Sequence, residues 1–265
     1  MKSLLLLLAT VSLMQTAIAQ VAATVEGVQM PAWVERSEGG RAAARTPLVP
    51  GMALRAGDVV VTGADSRLLI KLSEAALNVL EGAFRFTTDV VAKNRKREVS
   101  IRAAQVTAGI RGTDFWGRSR KDNEIVCLIE GEIEVAAEGE QPVTMDKPLQ
   151  FYRRTEGKTQ PVGVVEKAQL DQWAAETDLE AGKGAVRRGG RFSVLLASAE
   201  DQNTALGVYD PLRNVGYPAE IWPVKDGEKL LYVVRIRQLP SRAEARALVD
   251  QFRGKFGITE PKISG

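Results

Sequence analysis

The sequence predicts a mixed architecture: an all-β domain followed by a small α+β unit of βαββαβ order. Three observations carry this. Residues 21–154 break into short β-branched and apolar runs punctuated by glycine and Asp/Ser turns, the pattern of an all-β domain. Around residues 164–179 the apolar period lengthens to that of a helix. Beyond a glycine-rich basic stretch, strand-like and helix-like segments alternate to the C-terminus.

The N-terminus reads Met1-Lys2, then Ser3-Leu4-Leu5-Leu6-Leu7-Leu8-Ala9, then a softer run to Ala17-Ile18-Ala19-Gln20. A positive start, a short apolar core and a small-x-small end predict a secretory signal peptide, residues 1–19, cleaved after Ala19. The apolar core is short for a bilayer span, and no cysteine follows it to carry a lipid. The expectation is an exported chain with no stable membrane insertion after cleavage.

The all-β domain is expected over residues 20–160. Asp58-Val59-Val60-Val61-Thr62 is a compact β-branched run closed by Gly63-Ala64-Asp65-Ser66, and Arg67-Leu68-Leu69-Ile70-Lys71-Leu72 follows as a second strand. Ala76-Leu77-Asn78-Val79-Leu80 ends at Glu81-Gly82, and Phe84-Arg85-Phe86-Thr87-Thr88 alternates. Val99-Ser100-Ile101-Arg102 and Gln105-Val106-Thr107 come next. Residues 125–129 and 132–135 then flank Glu130-Gly131. Cys127 sits in an apolar run and reads as a buried thiol, compatible with an oxidising compartment. The basic run 93–97 reads as a solvated loop, with contact to anionic envelope polymers as the alternative.

Residues 161–190 are expected to hold a closing helix and a flexible basic linker. Val165, Leu170, Trp173 and Leu179 recur among charged residues, with Trp173 packed on the β domain. Residues 181–190, Ala-Gly-Lys-Gly-Ala-Val-Arg-Arg-Gly-Gly, have linker composition.

The tail, residues 191–265, starts with the strand Phe192-Ser193-Val194-Leu195-Leu196. Residues 204–215 are helical in character despite Pro211, with Gly216 as the stop. The strands 219–224 and 230–237 bracket Asp226-Gly227, a hairpin signal. Ser241-Arg242-Ala243-Glu244 is a capping box. Ala245, Leu248, Val249, Phe252 and Phe256 then line a helix, and a last strand begins at Ile258. Strict alternation sends Val194, Leu196, Tyr232, Val234 and Ile236 to the helices. It sends Ser193, Leu195, Ala197, Val233, Arg235 and Arg237 to the open face, with Trp222 outward if Ile221 is inward.

Composition narrows the chemistry. The chain has no histidine and one cysteine. That excludes Ser-His-Asp and Cys-His nucleophilic catalysis, HExxH or thiolate zinc sites, and internal disulfides. A carboxylate-pair glycosidase needs no histidine, yet no acidic pair has spacing that argues for one. No enzyme activity, cofactor or metal is expected. The formal net charge is only +3, so any basic patch must be local.

Two resemblances follow from these residues. Residues 48–135 resemble a FecR domain. The match begins with Pro47-Leu48-Val49-Pro50-Gly51-Met52-Ala53-Leu54, Gly57-Asp58, Thr62-Gly63 and Ser66-Arg67. It is sharpest at Gly109-Ile110-Arg111-Gly112-Thr113-Asp114-Phe115-Trp116 and ends at Ile129-Glu130-Gly131-Glu132-Ile133-Glu134-Val135. The usual Asp-Gly after the middle strand is Ser73-Glu74 here. Since the cytoplasmic anti-sigma segment and membrane helix of its best-known members are missing from this sequence, the resemblance implies an extracytoplasmic interaction or scaffold module.

The tail resembles a SPOR domain. Tyr232-Val233-Val234-Arg235-Ile236 and Ser241-Arg242-Ala243-Glu244-Ala245 match its second half. The first half departs: Leu195 stands for the family's glutamine, Ala197 for a glycine and Ala199 for a phenylalanine, while Ser198 is kept; later, Arg237 stands for a glycine. The resemblance implies binding of peptide-stripped peptidoglycan glycan strands on the open sheet face, through Leu195, Ser198, Trp222, Arg235 and Arg237. Trp222 would lie on a sugar ring and the arginines would pair with lactyl carboxylates. The alternative is that Trp222 fills the core edge and the arginines are merely solvated. RNA-recognition modules share the βαββαβ order but stack bases on sheet aromatics, and Val233, Arg235 and Arg237 stand at those positions, so no nucleic-acid partner is expected. The expected whole is a non-catalytic periplasmic protein, held on glycan by its tail, enriched at the division septum, with an unidentified envelope protein partner. The alternative is a periplasmic sensory module whose tail has lost glycan binding.

Overall fold

The computed structural model describes residues 21–36, 45–63, 65–72, 77–79, 81–87, 99–103 and 106–265. The expected signal peptide, the basic run 93–97 and Ser73-Glu74 lie outside the described residues.

The chain opens with β1 (Val21–Gln29), β2 (Ala32–Glu35), β3 (Thr46–Pro47), β4 (Ala53–Arg55), β5 (Val59–Thr62) and β6 (Arg67–Leu72). β1 pairs antiparallel with β4 and β6, and β2 lies between β3 and β5. Ala23, Val25 and Val28 of β1 are buried on one side, the alternation stepping at a bulge between Val25 and Gly27.

A larger sheet follows: β7 (Leu77–Val79), β8 (Gly82–Thr87), β9 (Val99–Ala103), β10 (Val106–Arg120), β11 (Asn123–Ala137), β12 (Val143–Met145), β13 (Gln150–Thr155), β14 (Lys158–Thr159) and β15 (Gly163–Val164). Its spine is the β10–β11 hairpin, turned at Lys121-Asp122, where Asp122 takes a positive φ of 62°. The short strands expected around residues 105–107, 125–129 and 132–135 are parts of this one hairpin. Glycines at 109, 112 and 117 interrupt the alternation that would have revealed its length. At Gly117 the glycine is required by close approach: a Cβ there would collide with the ring of Phe84 on the neighbouring strand.

Both faces of the hairpin are covered around residues 115–128, while Glu130, Glu132 and Glu134 farther along β11 are exposed. Phe115, Leu128, Ile133, Met145 and Tyr152 form one core. On the other face Trp116, Ile125 and Cys127 meet α1 (Lys167–Ala175) through Leu170 and Trp173. The Trp116 and Trp173 rings stack 5.2 Å apart at 13°. The helix is shorter than the 164–179 expected, because residues 176–178 turn out of it and 179–180 continue as a strap. Arg118 donates to the Glu176 carboxylate at 2.7 Å, Arg67 donates to the Glu176 carbonyl, and Arg67 also pairs with Glu180. These long-range partners override the helical periodicity.

The tail contains β16 (Val186–Arg187), β17 (Phe192–Ala199), α2 (Gln202–Asn214), β18 (Glu220–Asp226), β19 (Lys229–Leu239), α3 (Arg242–Phe252) and β20 (Lys262–Ser264). After β16 the order is βαββαβ, as the sequence predicts, and the sheet order is β18-β19-β17-β20, antiparallel throughout. Asp201 caps α2, its side chain accepting from the Thr204 N–H. The last strand starts later than expected, at Lys262, because turns occupy residues 253–260.

The stretch 181–190 is not the flexible linker its composition suggested. Ala185 and Val186 are buried, and β16 pairs with β1. Glu244 explains the ordering. Ser241 does cap α3, its Oγ accepting from the Glu244 N–H at 3.3 Å. The Glu244 carboxylate does not complete the capping box; it accepts backbone N–H groups of Gly182, Gly184 and Ala185 at 2.6, 2.6 and 3.0 Å. Glu244 is only 5% exposed, so these charge-assisted bonds hold the stretch against the tail.

One continuous core runs from the opening strands into the tail. Val25, Val28, Ala32, Val34, Leu48 and Leu54 join Val186, Val194, Leu212, Val234, Leu248 and Phe252 in a single apolar cluster. The opening strands reach the helix side of the tail sheet: Trp33 and Pro31 abut Gly216 at the end of α2. Among the described residues the opposite sheet face is left uncovered.

Candidate functional site

The open face is built by period-two alternation on four strands, with two register shifts between β17 and β19, of which the one between Leu195 and Ala197 shapes the site. Val194, Leu196, Val234 and Ile236 are buried toward the helices, and Tyr232 packs partly against the same core. Leu195 pairs with Arg235, but Ala197 pairs with Val234, so one extra residue sits in β17 between them. The bulge turns Leu196 and Ala197 both toward the core, against the expectation that Ala197 faces out. It also turns Ser198 outward, opposite Val233. Strict alternation would have hidden Ser198.

Directly paired residues share a face, so the register places two rows across the sheet. One row reads Glu220, Arg235, Leu195, Lys262. The next reads Trp222, Val233, Ser198. Arg237 lies beyond Arg235 on the same strand and is exposed. All five residues expected at the site, Leu195, Ser198, Trp222, Arg235 and Arg237, therefore lie on one face.

Trp222 is 53% exposed, on an edge strand whose Pro223 cannot donate to a further strand. Its ring does not fill the core edge. The Arg235 guanidinium carbon sits 5.5 Å from the Trp222 ring centroid, a cation–π contact that fixes the indole against the sheet. Ile221, its neighbour, packs against the core.

Two charged residues of this face were missed by sequence reasoning. Glu220 Oε2 lies 3.8 Å from Arg235 Nε and 3.7 Å from a terminal nitrogen of Arg237. Lys262 is exposed opposite Leu195. The signal for Glu220 was present: it alternates with Trp222 on one strand. Lys262 needed the register of β20, whose start the sequence misplaced. Arg235 Nε is buried and makes no hydrogen bond.

The FecR-like region offers less to a ligand. Arg85 forms a two-pronged pair with Asp114, at 3.0 and 2.7 Å. Asp114 therefore pairs with Arg85 of the adjacent strand. Cys127 is fully buried, and burial pushes its thiol pKa up to about 12. Among the described residues no group of three or more His, Cys, Asp or Glu is placed to hold a metal ion, and no helix is long and apolar enough to cross a membrane.

Comparison with known proteins agrees with this division. Residues 189–259 match the SPOR domain family model, and residues 52–134 match the FecR protein family model. The chain thus joins a FecR segment to a SPOR segment, and β1 and β2 lie outside both. No curated protein matches the chain. Two crystal structures, at 1.65 and 2.50 Å, of a protein described as a "putative anti-sigma factor" from Parabacteroides distasonis ATCC 8503 are similar at 12% identity and a TM-score of 0.31. They cover 65% and 66% of this chain and 69% and 70% of theirs. At that score the likeness carries no argument about fold or function.

Proposed function

We propose that this is a non-catalytic envelope protein that binds peptide-stripped peptidoglycan glycan strands on the open face of its SPOR segment. The FecR segment serves as an interaction or scaffold module toward an envelope protein. The observation that carries this reading is the exposed Trp222, braced by Arg235 on an uncovered sheet face within a SPOR match. An indole offers a flat apolar surface to the axial C–H face of a sugar ring. Arg235 stands beside it, with Arg237 farther along the same strand, to meet the carboxylates of muramic residues, and Leu195 and Ser198 form the floor. Removing the signal peptide after Ala19 delivers the chain to the periplasm, and a glycan tether of this kind enriches it where stripped strands accumulate, at the division septum.

The test uses the mature chain, residues 20–265, because the tail shares its core with the opening strands. Pelleting with purified sacculi is compared before and after amidase treatment, for the wild type and for Trp222→Ala. The reading expects binding that rises as peptides are removed and falls about tenfold or more in the variant, in line with a stacked aromatic worth one to a few kcal/mol. Equal pelleting of both forms would remove Trp222 from the site.

A second reading has its own observation. Leu195 replaces the family's polar glutamine at the centre of the face, and Glu220 already sits beside both arginines. On that reading the protein is a periplasmic sensory or interaction module and its tail no longer holds glycan. Uniform periplasmic fluorescence of a tagged chain, with no sacculus pelleting, would favour it.

A further inference from the structure

Glu220 is the one acidic residue in its row across the open face, and it stands where a ligand's anion would go. Its carboxylate approaches Arg235 and Arg237 together, at 3.8 and 3.7 Å. Both distances exceed the 2.7–2.9 Å of a charge-assisted hydrogen bond. The pairing is therefore loose, and Arg235 Nε, which faces Glu220, is buried with no hydrogen-bond partner. Arg235 is held in place but its Nε is not satisfied, while Arg237 reaches solvent.

We propose that Glu220 is an internal counter-anion that sets the charge selectivity of this face. Resting on the glycan-binding reading above, the proposal concerns which strands are held rather than whether any are. A carboxylate-bearing ligand reaches Arg235 and Arg237 only by displacing Glu220, whose like charge opposes its approach. A neutral sugar lying on Trp222, one row along, makes no such demand. Glu220 thus weakens recognition of the ligand's carboxylates while leaving ring stacking untouched. It keeps the arginines extended over the face, Arg235 against Trp222, in the absence of ligand.

The experiment titrates the mature chain and its Glu220→Gln variant with two probes. One is peptide-free glycan strands, which carry a carboxylate on every muramic residue; the other is chitohexaose, which carries none. The side chain of Glu220 is 44% exposed and glutamine matches its shape, so the fold is preserved. Removing an exposed ion-pair competitor is expected to tighten binding of the carboxylate-bearing strands about two- to fivefold. Chitohexaose affinity, or its lack of binding, stays unchanged. Equal tightening for both probes, or none for the charged strands, overturns the proposal. If the wild type binds neither probe, the glycan-binding reading fails by itself. In that case the variant still decides the proposal: gained binding to charged strands alone supports it, and no gain overturns it.

Discussion

The Glu244 carboxylate accepts the Gly184 backbone N–H at 2.6 Å, joining residues 60 positions apart in the chain. The same carboxylate takes the N–H groups of Gly182 and Ala185. Glu244→Ala strands these donors in a mostly buried place, which should lower stability by about 2–4 kcal/mol. The expected readout is a lower urea midpoint with an unchanged m value. Trypsin should cut faster in the stretch that bears the exposed Lys183, Arg187 and Arg188.

Gly184 is itself constrained. Its φ is +80°, and a Cβ would lie 2.5 Å from Cδ2 of the buried Leu248. Gly184→Ala should therefore destabilise by about 1–3 kcal/mol, combining backbone strain with overpacking. Leu248→Ala in the same chain removes the collision but not the strained φ. The double variant should be less destabilised than the sum of the two singles. Strict additivity in thermal melts would show that the collision does not occur.

Trp173 anchors the closing helix. It stacks on Trp116 and meets the edge of Phe151 at 6.3 Å. Trp173→Ala should cost about 3–5 kcal/mol and erase the near-ultraviolet circular dichroism of the stacked pair. A double-mutant cycle with Trp116→Ala should show a coupling of about 0.5–1.5 kcal/mol. A coupling near zero would mean the rings merely share a cavity.

The thiol of Cys127 makes an alkaline prediction. Burial raises its pKa from 9.0 to about 12. The folded state thus holds the proton more tightly than the unfolded state. The stabilisation is fully present below pH 9.0 and is lost as pH rises from there toward about 12. Cys127→Val should flatten the decline in stability measured by urea melts between pH 8.5 and pH 10.5, about the range where the unfolded thiol ionises. Ellman's reagent at pH 8 should label the wild type slowly when folded and rapidly in urea.

The sequence made local features plain and distant ones obscure. The Ser241 cap and the alternation of β19 depend on neighbours within a few residues and appear where their patterns put them, while the hairpin turn falls at Gly227-Glu228, one residue beyond the expected Asp226-Gly227. Trp173 was also readable, since a large apolar residue on a helical stripe has one place to go. The bulge at 195–197 was not, because period two contains no sign of where it slips. Glu244 misled in an informative way: its spacing from Ser241 fits a capping box, yet its carboxylate serves backbone in another segment. The 181–190 stretch looked like linker because glycine and charge also suit a strand clamped from outside. Of the site, the residues on one strand could be placed together, Glu220 with Trp222 included, but Lys262 needed the register between strands.

The apolar cluster that runs from Val25 to Phe252 also makes a route for mechanical load. A tether usually ends in a slack hinge that absorbs movement of whatever it grips. Here the sheet that would grip glycan is backed by the same side chains that hold β1, and β1 is laced to β6 and β16 by backbone hydrogen bonds. Tension applied at the open face would pass into the FecR segment as shear between paired strands, with little compliance along the way. Stretching or turnover of the wall would then be felt by whatever the front half of the molecule holds.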